Sequence, residues 1–323
     1  MSLMGSKPLV RPPRLKTGSR IALVAPAGPL LEKDDLSRAQ ELCRALGYQA
    51  VLGTNAYSRH GYLAGTDDQR LADLNGAFQD PDVDAIWCIR GGYGALRLLD
   101  RVDYAAMARR PKPLVGFSDI TVLLNAVTRI TGVVTFHGPV ARAPMPEFTR
   151  RHFERVLASA EMPGPFDRLP VPADVLVPQE NRIVTLVGGT AEGPLAGGNL
   201  SLLHCLIGTP YFPDLEGAIL FLEDVGEDLY NVDRMLAHLR LVGALKNLAG
   251  VTVGRFTDLD RAGRDGALGF DEVLATYFAP LGIPVAYGFP FGHIESQWTL
   301  PLGIRARLDA DAGELELLEP AVL

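Results

Sequence analysis

Over the first half of the chain, apolar runs closed by turn residues alternate with stretches whose apolar positions recur at helical spacing. Residues 21–25 (IALVA) form such a run ended by Pro26 and Gly28, the pattern of a strand buried on both faces. Leu36, Ala39, Leu42, Cys43 and Leu46 then make one helical stripe, which Gly47 can terminate. Thr66-Asp67-Asp68-Gln69 has capping-box spacing, with Leu71, Leu74 and Phe78 following on one face. Residues 85–89 (AIWCI) read as the next strand, 114–117 as another, 120–129 as a helix and 133–137 as a further strand. Repeated strand-then-helix units predict a parallel sheet covered on both faces.

The text changes between 163 and 181, where prolines crowd and periodicity fades, so this stretch is expected to be a linker. It divides the chain into residues 8–162, an N-terminal α/β domain, and residues 182–323, a smaller, mixed, β-rich domain. Strands are expected in the second part at 183–186, 218–223, 251–254, 285–287, 304–308 and 315–318, the closing ones antiparallel. Helices are expected to start near Leu200, near Val232 behind an Asn231 cap, and near Phe270. The opening MSLMGSK reads as an appended leader.

Composition narrows the classes. A net charge of −7 argues against a nucleic-acid partner, which needs a positive face. No run of about eighteen apolar residues exists and no signal-peptide h-region opens the chain, so a cytoplasmic protein without a membrane partner is expected. Cys43, Cys88 and Cys205 lie far apart; Cys88 and Cys205 sit in apolar text and read as inert core thiols. No paired Cys/His spacing supports a metal, and acid clusters such as Asp258-Leu259-Asp260 sit in turn-like text.

Candidate chemistry begins at Gly116-Phe117-Ser118-Asp119, where a strand hands over to a helix. Such a turn exposes a side chain on a tight bend and aims the first helical N–H groups at a developing anion. It departs from G-x-S-x-G in having Ile120 where the second Gly would stand, and Ser and Asp are also favoured helix caps. A serine nucleophile needs a base, usually a histidine held by a carboxylate. Among six histidines, His152 and His238 read as surface and His204 as packing, while His137 is a spare candidate. His293 stands out in a Gly-rich, aromatic loop. Residues 218–224 (AILFLED) end in Glu223 and Asp224, which strand alternation sends to opposite faces; pattern alone does not choose between them. Arg90-Gly91-Gly92-Tyr93-Gly94 lies in a strand–helix loop whose free N–H groups can cradle an anion. G-x-G-x-x-G is absent, so an oxyanion donor is a better assignment than a dinucleotide site.

The set VAPAGP, RGGYGA, GFSDIT, TFHGP, GGNLSLLHCLIGTPYFP, LFLEDVGE and GH…TLPLG strongly resembles the LD-carboxypeptidases, also called muramoyltetrapeptide carboxypeptidases, in the same order along nearly the whole chain. The resemblance implies a flavodoxin-like N-terminal domain, a smaller β-rich C-terminal domain and a site between them. It implies Ser118 as nucleophile, Glu223 as acid (which settles the choice left open above) and His293 as base. It further implies cofactor-free hydrolysis of the bond between an L-centre and a terminal D-Ala in a cytoplasmic murein tetrapeptide during peptidoglycan recycling, by a homodimer. The N–H groups of Asp119 and Gly92 are the expected oxyanion donors, Asn199 an expected contact to the substrate backbone, and Arg90 a candidate for the terminal carboxylate. The alternatives are a microcin-immunity-type amidase acting on peptidyl or aminoacyl nucleotides, and a muropeptide-binding protein without turnover. The amidases tend to carry an insertion with an aromatic clamp, whereas Phe166 is the only aromatic of the linker here, which favours the muropeptide substrate. Trp298 has no assignment.

Overall fold

A computed structural model describes residues 7–170, 181–259 and 268–323. Most of the leader, residues 171–180 of the expected linker, and Asp260 of the acid cluster lie outside the described residues.

The first half folds as β1 (Arg20–Val24), α1 (Asp35–Ala45), β2 (Gln49–Leu52), α2 (Asp67–Gln79), β3 (Ala85–Cys88), α3 (Tyr104–Arg109), β4 (Leu114–Gly116), α4 (Thr121–Thr131), β5 (Phe136–His137) and α5 (Glu147–Leu157). The five strands are parallel and run β5-β4-β3-β1-β2, so β1 and β3 flank the point where strand order reverses. In open α/β sheets, ligands gather beyond the carboxyl ends of strands at such a reversal. Local chemistry sets the helix ends. Thr66 and Gln69 make the reciprocal capping box of α2, and Gly132 closes α4 at φ 78°, a left-handed position that glycine adopts without a Cβ penalty.

The second half contributes β6 (Gly164–Pro165), β7 (Val184–Val187), β8 (Thr190–Asn199), α6 (Leu200–Cys205), β9 (Ile219–Val225), α7 (Leu229–Leu241), β10 (Gly250–Thr257), α8 (Phe270–Phe278), β11 (Val285–Gly292), β12 (Leu300–Pro301), β13 (Arg305–Asp309) and β14 (Glu314–Leu317). Eight of these strands form one mixed sheet, β6-β14-β13-β8-β9-β10-β11-β7. Its centre, β8 through β11, is parallel, whereas β13 and β14 are antiparallel. Apolar residues of β9 to β11 pack against α7 and α8 in a second core built around Leu220, Leu236 and Phe278.

Three details differ from the sequence expectation. Residues 164 and 165, inside the expected linker, pair with β14. The long strand β8 was not foreseen, because Gly193, Pro194, Gly197 and Gly198 give it poor strand propensity. Asn231 does not cap α7, whose N-cap is Asp228; its amide instead donates to Glu227 one turn earlier.

The halves are stitched together at two places. Strand β12 adds an antiparallel edge to the first sheet beside β5, although it comes from the second half. On the other side, Asn199 N–H donates to Thr121 Oγ1 at 3.2 Å and Asn125 Nδ2 donates to the Gly197 carbonyl at 2.9 Å, joining β8 to the helix that follows Ser118. A β-carbon on Gly198 would lie 2.6 Å from Thr121 Cγ2, so only glycine permits this approach. Trp298 completes the junction: it is buried, donates to the Asp167 carbonyl at 2.9 Å and stacks on Phe166 at 4.7 Å. Among the described residues, no helix is long and apolar enough to cross a membrane.

Candidate active site

Ser118 follows β4 directly. Phe117 is extended and Ser118 adopts φ 63°, the left-handed region that non-glycine residues enter only at a cost. The bend is tight enough that a β-carbon on Gly116 would lie 2.9 Å from the Ile120 side chain, which accounts for glycine there. Ser118 is half-buried at the head of the short turn leading into α4, while Asp119 and Ile120 beside it are buried.

The candidate base and acid arrive from β11 and β9, two parallel strands that flank β10 in the second sheet. His293 follows the last residue of β11, and its Nδ1 lies 2.7 Å from Oε2 of Glu223 on β9. Glu223 is fully buried, and its Oε1 has no partner among the described residues. A buried carboxylate so placed fixes the ring orientation and favours an N–H at Nδ1, which leaves Nε2 as the lone-pair nitrogen. The His293 ring packs 4.8 Å from the ring of Phe117, the residue before Ser118. Loop 293–299 is itself tied to the first half: Gln297 N–H donates to Thr149 Oγ1 at 2.9 Å, and that hydroxyl donates to the Glu295 carbonyl at 3.2 Å. Thus nucleophile, base and acid candidates from separate halves meet at one junction.

Asp224 turns to the opposite face, as alternation requires. It accepts from Asn199 Nδ2 (2.8 Å), Ser201 N–H (2.9 Å) and Ser201 Oγ (2.7 Å). Burial raises its pKa against these hydrogen bonds. Asn199, expected at the substrate backbone, is 2% exposed, and its Oδ1 accepts from Leu202 N–H at 3.1 Å. Its amide caps α6 and holds Asp224.

The glycine loop after β3 lies against Ser118. A β-carbon on Gly91 would stand 2.9 Å from Ser118 Cβ and 3.2 Å from its Oγ. The Gly91 carbonyl accepts from Gly28 N–H at 3.1 Å; in a planar trans peptide the following N–H, that of Gly92, therefore points away from Gly28. Gly92 has φ 117° and is exposed. Arg90 is half-buried and donates to the Pro29 carbonyl; burial, and then the neighbouring Arg142 cation, lower its pKa.

His137 is fully buried beside Phe117 and Phe221, both ring nitrogens lack a protein partner, and burial with the nearby His293 pushes its pKa down to about 3. His152, expected at the surface, is fully buried: Nδ1 donates to the Phe148 carbonyl at 2.7 Å and Nε2 accepts from Asp167 N–H at 3.2 Å. The second of these partners comes from the chain beyond α5, which helical text does not reveal. His238 and His204 are both half-buried and share a 2.8 Å hydrogen bond. Cys205 is exposed, in contrast to the core thiol expected; Cys43 and Cys88 are buried, and burial raises both thiols, Cys43 to about 12. Two side-chain contacts escaped sequence reasoning: Arg70, a buried cation touching the glycine loop, and the bond from Ala95 N–H to the carboxylate of Asp119, which was expected to act through its backbone N–H. The short Asp67–Arg70 spacing in α2 was the one available signal for the first.

Comparison with known proteins places this geometry. Residues 21–138 match the LD-carboxypeptidase N-terminal domain and residues 192–308 the LD-carboxypeptidase C-terminal domain. The chain is 36% identical to the murein tetrapeptide carboxypeptidase of Pseudomonas aeruginosa, over 90% of this chain and 94% of that protein. Its fold is similar to the crystal structure of muramoyltetrapeptide carboxypeptidase from Oxalobacter formigenes (34% identity, TM-score 0.78, 93% of this chain and 98% of that one). It is similar also to the microcin C7 self-immunity protein MccF (27% identity, TM-score 0.88, 97% and 100% covered). With both domains matched in order and murein carboxypeptidase relatives above 30% identity along most of its length, the chain belongs to the LD-carboxypeptidase family.

Proposed function

We propose that the protein is a serine LD-carboxypeptidase that removes the terminal D-Ala from murein tetrapeptides, with Ser118, His293 and Glu223 as its triad. The observation that carries this reading is the 2.7 Å His293–Glu223 pair seated against the Ser118 turn. His293 Nε2 takes the Ser118 proton as Oγ bonds to the scissile carbonyl carbon; Glu223 holds the imidazole and stabilises its cation. The tetrahedral oxyanion is received by the N–H groups of Gly92 and Asp119, worth about 3 kcal/mol each in comparable acyl-transfer sites. The carbon–nitrogen bond then breaks, and the proton passes from His293 to the D-Ala amine. Water, deprotonated by the same imidazole, cleaves the acyl-enzyme. Arg90, half-buried beside the glycine loop, supplies a cation for the terminal carboxylate.

A microcin-type amidase is the rival, supported by the similarity to MccF. Phe166, the only aromatic of the linker sequence, is buried against Trp298, which favours the muropeptide substrate. Incubation with L-Ala-D-Glu-diaminopimelate-D-Ala and, separately, with an aminoacyl-adenylate analogue separates the two. The proposal expects turnover of the first only. Cytoplasmic action in recycling and a homodimeric state follow from the same reading; light scattering of the purified protein tests the second.

A further inference from the structure

The loop that carries Gly92 is built from Gly91, Gly92, Tyr93 and Gly94, the sequence least able to hold a conformation by itself. Tyr93 is also exposed, so the loop has no core anchor of its own. Yet its backbone lies in van der Waals contact with Ser118. Two buried charges account for this. The Asp119 carboxylate, 2% exposed, accepts from Ala95 N–H at 2.8 Å, pinning the far end of the loop to the nucleophile turn. Arg70, 1% exposed on α2, donates through Nη1 to the carbonyls of Gly94 (2.9 Å) and Pro26, and through Nη2 to Asp67. It thus ties the glycine loop to the loop after β1, whose Gly28 N–H holds the near end through the Gly91 carbonyl. Burying a carboxylate and a guanidinium is costly, and hydrophobic replacements commonly serve packing as well, so packing alone does not account for them.

We propose that Asp119 and Arg70 are positioning residues for the oxyanion hole: Asp119 supplies one donor from its backbone and, through its side chain, fixes the loop that supplies the other. A single residue therefore couples both donors to the nucleophile, and Arg70 locks the loop from the opposite side. This rests on the serine-hydrolase reading above.

The test uses two readouts on the full-length protein. One is D-Ala release from the tetrapeptide. The other is the rate of labelling by an alkyl fluorophosphonate, in which Ser118 Oγ bonds to phosphorus, fluoride leaves, and the proton passes to His293. Asp119→Ala should lower kcat about 100-fold, the value of one oxyanion donor, with KM held within about threefold. The labelling rate should fall in parallel, because the phosphoryl oxygen uses the same donors. Asp119→Asn keeps an acceptor for Ala95 N–H and should recover both rates to within about fivefold of the parent. Should Asp119→Ala fail to fold, Asp119→Ser, one bond too short to reach Ala95, takes its place. Rates within about threefold of the parent for Asp119→Ala would overturn the proposal. So would an Asn variant as slow as the Ala variant at unchanged melting temperature. If the parent labels but does not release D-Ala, the substrate assignment fails while the labelling comparison still decides the clamp; a parent that does not label overturns both.

Discussion

Gly292 and Glu223 stand so close that a β-carbon on Gly292 would lie 2.9 Å from both Cβ and Oε2 of the glutamate, and 3.0 Å from the Arg255 carbonyl. Gly292 also sits at φ 113°, outside the ordinary range of L side chains. The proposed acid–base pair thus depends on a missing side chain. Gly292→Ala should push Glu223 off His293 and lower kcat/KM by about 100-fold or more, approaching the effect of losing a triad carboxylate. Steady-state kinetics checks this, with circular dichroism showing that the fold persists.

Gly91 offers the same test on the nucleophile side. A methyl group there meets Ser118 Cβ and Oγ. Gly91→Ala should slow both acylation and fluorophosphonate labelling by at least about tenfold through misplacement of the nucleophile. Labelling at the parent rate would mean that the loop yields freely.

The buried histidines add to the loss of stability in acid. Burial pushes His137 down to about 3 and His152 to about 4, whereas unfolded histidine titrates near about 6.5. Above that pH both states are neutral and stability is undiminished. As pH falls below it, the unfolded chain binds protons that the folded chain refuses until the folded values are reached. Stability should therefore drop by about 1.4 kcal/mol per pH unit for each histidine. His137→Phe should remove one of these two contributions, and urea melts between pH 4 and 7 should show a shallower decline than the parent.

Asp224 is structural in this account. Removing its carboxylate strands the Asn199 amide and two donors of Ser201 at the start of α6. Asp224→Ala should cost about 2–4 kcal/mol of stability, as loss of a buried hydrogen-bonded charge does, measured by chemical denaturation.

What could be read in advance divides along physical lines. The buried strands β1, β3 and β4 announce themselves as short apolar runs, and α2 by its capping box, because those signals are local. The GFSD turn is legible for the same reason, and the resemblance supplied the choice of Glu223 that alternation left open. Strand β8 was not legible: its glycines exist because Phe221 and Thr121 crowd it, a β-carbon on Gly197 lying 1.9 Å from the Phe221 carbonyl oxygen. Burial of Arg70, His152 and Asn199 likewise depends on a carbonyl, an N–H and a carboxylate delivered from distant segments, which no local pattern records.

The central claim is that an alcohol from one half of the chain is activated by an imidazole–carboxylate pair from the other. Mass spectrometry of D-Ala release from L-Ala-D-Glu-diaminopimelate-D-Ala by the parent, Ser118→Ala and His293→Ala tests it most directly. The account expects release by the parent and a loss of at least about 1,000-fold in each folded variant. Release by either variant at a rate near the parent's would contradict it.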